Sequence, residues 1–359
     1  MRLLEFRISD LRNLAALTLA PAAGLNVFVG PNGAGKTSLL EGIYLLSHAQ
    51  SFRAGSNDVL LRRGAVELVV QAKLERRNRT IGLGLRRSLS TWTARVDASD
   101  VPSLGRLLQE CAVICFEPGS HALISGTGEG RRSFLDWGVF HVEHDHFDRM
   151  RRYRRVLRQR NALLKQGASN SELDAWDEEL IRAAAPVFEA RAGYFPLFVE
   201  HLKFTLAEFL TELGPASVSL KSGVAEHMSY AEALRQVRDR DRALGHTTRG
   251  PHRADWSLSF EQAPSREFLS RGQEKLCALA CVLAQGATFA AAAGEWPIVL
   301  LDDLASELDA EHQRLTVETL ERCGAQVLIT GVELPSALRT SRVATRVFHV
   351  EHGSVRSLL

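Results

Sequence analysis

Residues 30 to 38 read Gly30-Pro31-Asn32-Gly33-Ala34-Gly35-Lys36-Thr37-Ser38, filling every fixed position of G-x-x-x-x-G-K-[ST]. The flanks suit it: Leu25 to Val29 reads as a short buried strand, and Leu39, Leu40, Ile43 and Leu46 recur at helical spacing. A strand-loop-helix of this kind binds phosphate. Gly33 and Gly35 let backbone N–H groups turn inward around an anion, and the helix that follows adds the positive end of its dipole. Lys36 supplies a point charge for the β- and γ-phosphates of ATP, and the Thr37 hydroxyl is placed to ligate Mg²⁺. The alternative is a glycine turn that merely caps a core helix.

Further motifs follow in a fixed order. Ile298-Val299-Leu300-Leu301 ends in Asp302-Asp303 and resembles a Walker B strand, whose carboxyl end brings Asp302 beside the magnesium ion and turns Asp303 toward the attacking water. Earlier in the chain, Leu269-Ser270-Arg271-Gly272-Gln273-Glu274 precedes the apolar stretch Leu276 to Ala284 and resembles the LSGGQ-type signature of ABC ATPases. Ser270 can cap that helix with Gln273 at its third position, which is a sufficient structural reason for both residues. The same geometry leaves free N–H groups at a helix N-terminus, an anion site. In the ABC class such a site meets the γ-phosphate held by a second subunit. Ser306-Glu307-Leu308-Asp309 resembles the D-loop of that class.

A formal charge of +2 conceals a strong asymmetry. Residues 62 to 95 carry 9 Lys/Arg against 2 acids and residues 131 to 165 carry 10 against 4, which leaves 25 basic and 36 acidic residues elsewhere. A basic face can therefore meet a polyanion on an otherwise acidic protein. In the first segment Ala65 to Leu74 and Thr80 to Leu85 read as strands around a basic tip bearing Arg76, Arg77 and Arg79. In the second, Phe134 to Leu164 and Glu172 to Leu213 read as two long helices joined by a polar turn, with Pro186 and Pro196 expected to kink or interrupt the latter. Arg151, Arg154, Arg155 and Arg158 crowd the first of these helices. With the hairpin arginines they form the candidate DNA-binding set; the competing reading is a solvated helix face.

With 359 residues, 45% of them hydrophobic and 24% charged, the composition is that of a globular chain of two domains or of one with an insertion. No apolar run is expected to approach the roughly 18 residues needed to span a bilayer, and Met1 leads directly into strand-like Leu3, Leu4, Phe6 and Ile8, so a cytoplasmic protein without a membrane partner is expected. The five cysteines include Cys111/Cys115 and Cys277/Cys281, each pair four apart as on one helix face, with no C-x-x-C; they read as small buried apolar residues.

The whole chain resembles the RecF recombination mediators. The strings that carry this are Gly30 to Thr37, Ser51-Phe52-Arg53, Arg131-Arg132-Ser133-Phe134-Leu135-Asp136, Gly250-Pro251-His252-Arg253, Leu269 to Gln273, and Leu301-Asp302-Asp303 with Ser306 to Asp309. The fold implied is α/β: an ABC-type P-loop ATPase head over 1–130 and 250–359, with an inserted, mainly helical subdomain over 131–249 built on a short antiparallel hairpin. The resemblance implies a weak, DNA-stimulated ATPase that dimerises on ATP with Mg²⁺ and binds duplex and gapped DNA. It also implies that the chain works with RecO and RecR to help load RecA recombinase, without chemistry on DNA. Lys36, Ser270 and Asp303 are then the expected catalytic set, and Thr37 and Asp302 the metal ligands. Gly30 to Ser38, Arg12, Asn13, Ser270, Gly272 and Gln273 are the expected nucleotide contacts.

The chain departs from the wider ABC class in three places. Asp303 stands where many members carry a catalytic glutamate, Thr330-Gly331-Val332-Glu333 offers no switch histidine, and Glu117 stands where a Q-loop glutamine is usual. The rival readings are an SMC-like or nuclease-associated repair ATPase, disfavoured by the short hairpin without a C-x-x-C apex, and a P-loop kinase, which would transfer phosphate to a small molecule.

Overall fold

A computed structural model describes residues 1–53, 57–88, 91–335, 338 and 345–358. The chain divides into two compact units, residues 1–120 with 278–359 and residues 121–277. Both boundaries differ from those expected at 130/131 and 249/250. The second moves further, for a reason of strand pairing: Asp255–Phe260 lies antiparallel to Ala216–Lys221, so Gly250 to Gln273 belong with the helices.

In the first unit a six-stranded sheet runs Ser354–Ser357, Thr345–Glu351, Leu25–Val29, Val327–Gly331, Ile298–Leu301, Val113–Phe116. It is parallel apart from the edge hairpin that Ser354–Ser357 makes. Ile298–Leu301 and Val327–Gly331 are buried throughout, as unbroken apolar strands of a covered parallel sheet are. A second, antiparallel sheet begins with Arg2–Leu11 and Leu14–Leu19 and includes Glu67–Arg76 and Arg79–Ser88. The Lys36–His48 helix lies between the two. On one side a Cβ at Gly42 would meet Ile8 and Phe6 of the antiparallel sheet at 2.7 and 3.1 Å; on the other, Ser47 Oγ accepts Val113 N–H at 3.1 Å. A helix covered on both sides has no polar face to spare, so even Glu41 is buried.

Arg271–Ala293 corrects one expectation. It is long and apolar enough to cross a membrane by composition alone, yet 72% of its apolar window is buried inside the protein. Its approach to the parallel sheet is set by Gly286, where a Cβ would lie 2.8 Å from Ile114 Cδ1 and 2.7 Å from Trp296 Cζ3. The cysteine reading also changes in detail. Cys115 lies in the Val113–Phe116 strand, so Cys111 and Cys115 share no helix face, and Cys115 and Cys323 are only half-buried.

In the second unit the expected Phe134–Leu164 helix is two, Gly128–Val142 and His146–Gln166, while Asn170–Phe209 runs unbroken through Pro186 and Pro196. Packing offsets the bonds those prolines cannot make: Leu180, Ala183, Ala184 and Val187 bury against Met150, Tyr153 and Val156 of the neighbouring helix. Gly167 ends the first arm in the left-handed region, and a Ser169–Glu172 capping box starts the second.

Candidate functional site

The loop between Leu25–Val29 and Lys36–His48 is held from several directions. Gly30 has no room for a side chain, since a Cβ would fall 2.1 Å from Val350 O. Asn13 donates to Gly33 O at 2.9 Å and accepts from Ser38 Oγ at 3.1 Å, pinning both ends of the loop. Pro31 O accepts Ala34 N–H at 3.3 Å, and Ala34 O accepts Gly353 N–H at 2.9 Å. Lys36 Nζ donates to Gly30 O and Pro31 O at 2.7 and 2.9 Å. Burial lowers the Lys36 pKa, and the charges of Asp303 and Asp302 draw it back up. Asn13, Asn32, Gly33, Gly35, Lys36, Thr37 and Ser38 border a cavity of about 400 Å³ that Asp302, Asp303 and Thr330 close from the other side.

Arg12 also borders the cavity, but its guanidinium is already engaged. It forks onto Glu41 at 2.9 and 2.7 Å and reaches Val59 O at 3.0 Å. Glu41 accepts from Ser51 as well. The Glu41 carboxylate thus ties the turn at Arg12 to the segment carrying Arg53, a cavity-lining cation. Neither this role of Glu41 nor that of Thr330 has a local sequence signal, because each is defined by partners distant in the chain.

The parallel register that sets Leu301 opposite Ile329 places the two acids beside Thr330. Asp302 Oδ1 accepts Thr37 Oγ1 at 3.0 Å and Thr330 Oγ1 at 2.6 Å. Asp302 is 4% exposed, and burial raises its pKa. Asp303 differs: its backbone is left-handed at φ 54, ψ 41, its N–H donates to Thr330 Oγ1 at 2.8 Å, and no described residue donates to its carboxylate. A hydroxyl and a buried carboxylate 3.0 Å apart are a hard oxygen pair at the edge of this cavity. That donor set fits Mg²⁺, which takes one or two protein oxygens and completes its shell with phosphate and water. Thr37 and Asp302 would hold the ion, which supplies charge neutralisation at the phosphates.

The candidate signature starts the Arg271–Ala293 helix in the second unit. Ser270 N–H donates to Gln273 Oε1 at 3.0 Å and Gln273 N–H to Ser270 Oγ at 3.2 Å, so the capping box is formed. Ser270 and Gly272 are exposed, and Gln273 also reaches Glu212 at 3.1 Å. In the first unit Asp309 caps the Ala310–Cys323 helix through His312 N–H. Glu117 turns its carboxylate to Gly119 N–H at 2.6 Å, and Pro118 rather than Glu117 lines the phosphate cavity.

The candidate DNA contacts divide. Strands Glu67–Arg76 and Arg79–Ser88 meet at a two-residue turn, with Arg77 and Asn78 both left-handed. Arg76 is not on a free basic tip: it donates to Gln109 O at 2.6 Å and pairs with Glu110 and Glu295, both at 3.3 Å. Arg77 reaches Ala293 O at 3.4 Å and stays exposed, as does Arg79. On the His146–Gln166 helix Arg151, Arg154, Arg155 and Arg158 are all exposed. Their neighbours are not free: Arg149 pairs with Glu143, Arg152 with Glu179, and the fully buried Arg160 with Asp177 and Asp241.

Two strings without an assigned chemistry meet in the second unit. Arg131 forks onto Asp255 at 2.7 and 3.0 Å, Arg132 donates to Ala254 O at 2.8 Å, and Asp136 takes a fork from Arg191, which also holds Pro251 O. His252 is fixed by Tyr153 at 2.6 Å and Thr247 O at 2.9 Å, and burial pushes its pKa down to about 4.

Comparison with known proteins gives a consistent set of likenesses. Residues 25–80 match the family model described as "AAA domain, putative AbiEii toxin, Type IV TA system". The "DNA replication and repair protein RecF" of Stenotrophomonas maltophilia (strain R551-3) is 46% identical over 361 residues, 99% of each chain. That of Yersinia pseudotuberculosis serotype O:1b (strain IP 31758) is 37% identical over 356 residues, 99% of this chain and 98% of the other. A solved structure of the recombination mediator protein RecF–ATP in the RecFOR pathway superposes with a TM-score of 0.89 at 25% identity, covering 99% and 97% of the two chains. An SmcHead bound to the C-winged helix domain of ScpA shares the fold, with a TM-score of 0.59 at 12% identity over 100% and 97%.

Proposed function

The chain belongs to the RecF family of DNA replication and repair proteins, and from that premise we propose that it is an ATP-dependent DNA-binding protein of recombinational repair and replication restart. ATP and Mg²⁺ enter the cavity between the Gly30–Ser38 loop and Asp302. The loaded protein dimerises, each Ser270 helix N-terminus facing the nucleotide of the partner, and the dimer holds duplex or gapped DNA. Slow hydrolysis, stimulated by DNA, resets it; DNA itself is chemically unchanged. Its partners are RecO and RecR, through which it helps load RecA, and its compartment is the cytoplasm.

The observation that supports this most is the network Thr37–Asp302–Thr330–Asp303. Two residues 265 positions apart, one in the phosphate loop and one after a buried strand, share a hydrogen bond at the mouth of the cavity. Such preorganised oxygen and cation placement is what phosphoryl transfer asks of a protein, since that chemistry is mostly positioning and charge stabilisation. Exposed Arg151, Arg154, Arg155 and Arg158 on one helix and Arg77 and Arg79 on the hairpin supply cations for a phosphate backbone. Sedimentation with and without ATP, and with and without duplex DNA, tests the reading. A dimer that forms only with ATP and co-sediments with DNA is expected; an unchanged monomer with ATP, or phosphate transfer to a small molecule, excludes it.

A further inference from the structure

At the carboxyl end of Val327–Gly331, where the ABC class would lead one to seek a histidine, a threonine hydroxyl is shared by both acids. Thr330 Oγ1 lies 2.6 Å from Asp302 Oδ1 and accepts Asp303 N–H at 2.8 Å, in a side chain 1% exposed. An amide N–H can only donate, so the single hydroxyl proton is directed to Asp302. The sense of both bonds is therefore fixed.

This matters because Asp303 is held in a backbone region that residues other than glycine seldom occupy and keep only when the surroundings impose it. Its carbonyl is engaged by Ser306 N–H at 2.9 Å and Glu307 N–H at 3.3 Å. Its N–H has Thr330. Its carboxylate, the group expected to face the attacking water, has no hydrogen-bond donor among the described residues. Remove the hydroxyl, and both the anchor of that backbone and one of the two bonds that orient Asp302 disappear.

We propose that Thr330 is a positioning residue for ATP hydrolysis, acting through Asp303 and Asp302. The proposal rests on the ATPase reading above. Serine keeps both bonds; valine keeps the shape and makes neither.

The test compares full-length Thr330→Val and Thr330→Ser with the wild type in three measurements: kcat and KM for ATP, equilibrium binding of a fluorescent ATP analogue, and amide hydrogen exchange of the peptide Leu301–Ala305. For Thr330→Val, kcat should fall about 100-fold, the loss expected of a misplaced catalytic group. Analogue binding measured without Mg²⁺ should fall far less than kcat, and exchange at Asp303 should quicken. Thr330→Ser should restore all three. If circular dichroism shows the valine variant unfolded, Thr330→Ala replaces it. Normal kcat in the hydroxyl-free variant overturns the proposal, and so does a serine variant as impaired as valine, which would assign the effect to methyl packing. Wild-type turnover measured alongside, with duplex DNA present, keeps the two readings apart: no turnover at all refutes the ATPase assignment, whereas measurable turnover with an unimpaired valine variant refutes only the role of Thr330.

Discussion

Adjacent aspartates at one strand end are treated in opposite ways by their surroundings. Asp302 is buried and accepts two hydroxyls, whereas Asp303 is turned out by its left-handed backbone with its carboxylate undirected by any described donor. Asp303→Asn should accordingly separate binding from hydrolysis. We expect ATP affinity near wild type, turnover lower by roughly 100-fold or more, as for loss of a general base, and a longer-lived ATP-bound dimer with tighter DNA association. Normal turnover would move the catalytic role elsewhere. A second prediction concerns pH. His252 has its pKa depressed to about 4 by burial, against about 6.5 in an unfolded chain. A histidine buried neutral contributes stability that is complete above the unfolded value and is lost as pH falls toward 4, because the unfolded state then binds the proton more readily. The urea midpoint should fall across that window, and less steeply in His252→Asn; parallel curves would show that another group carries the effect. That Lys36, Thr37 and Asp302 meet at one cavity was legible in the sequence, the first two from the fixed spacing of the phosphate loop and Asp302 from the apolar run before it. Arg12 was legible only in part: it borders the cavity as expected, yet its fork is spent on Glu41, 29 residues away.

Among elements, the helices of the second unit show what periodicity can and cannot reveal. The arginine-rich stretch reads as one basic face, but the acids that neutralise part of it come from elsewhere in the chain: Glu179 for Arg152, and Asp177 and Asp241 for Arg160. The four arginines of this helix proposed to meet DNA are all exposed, and none of them is in an ion pair among the described residues. Replacing Arg151, Arg154, Arg155 and Arg158 with Glu should flatten the dependence of log affinity on log salt by about 0.9 for each phosphate that the helix no longer neutralises, while ATP binding is unchanged. A slope as steep as the wild type's would leave Arg77 and Arg79 of the hairpin as the better candidates. Proline was misleading in the Asn170–Phe209 helix, where burial of one face outweighs two absent N–H donors. The apolar length of Arg271–Ala293 was underestimated: it would suit a bilayer by composition, and most of it is buried in the core. There Gly286→Ala should destabilise the fold by about 1–3 kcal/mol through overpacking, since its Cβ would stand 2.7 Å from Trp296. A denaturant midpoint equal to wild type would show that Trp296 yields freely.

For the molecule as a whole, the order of motifs fixed the class, but pairing between strands far apart in sequence decided where one unit ends. Ser270 thus stands in the helical unit and Lys36 in the other. A capping box explains Ser270 within its own chain; a shared nucleotide site explains it only between two chains. If the hydroxyl merely caps, Ser270→Arg should cost roughly 0.5–2 kcal/mol of stability, equally with and without nucleotide. If it faces the γ-phosphate of a partner, arginine fills the space that phosphate must enter. Each monomer would still bind ATP, since Gly30 to Thr37 are intact, yet the ATP-dependent dimer and its turnover would vanish. Lys36→Arg fails on the other side of the same site, because a planar fork does not fit a loop shaped around an ammonium. A mixture of the two variants can assemble at most one composite site, in which an intact loop faces an intact signature. Turnover in the mixture above that of either variant alone, read by phosphate release across a range of mixing ratios, is the expected result. Additive, near-zero turnover at every ratio would place the whole site within one chain, and ATP-dependent dimerisation of Ser270→Arg at the wild-type level would leave its hydroxyl with capping as its only role.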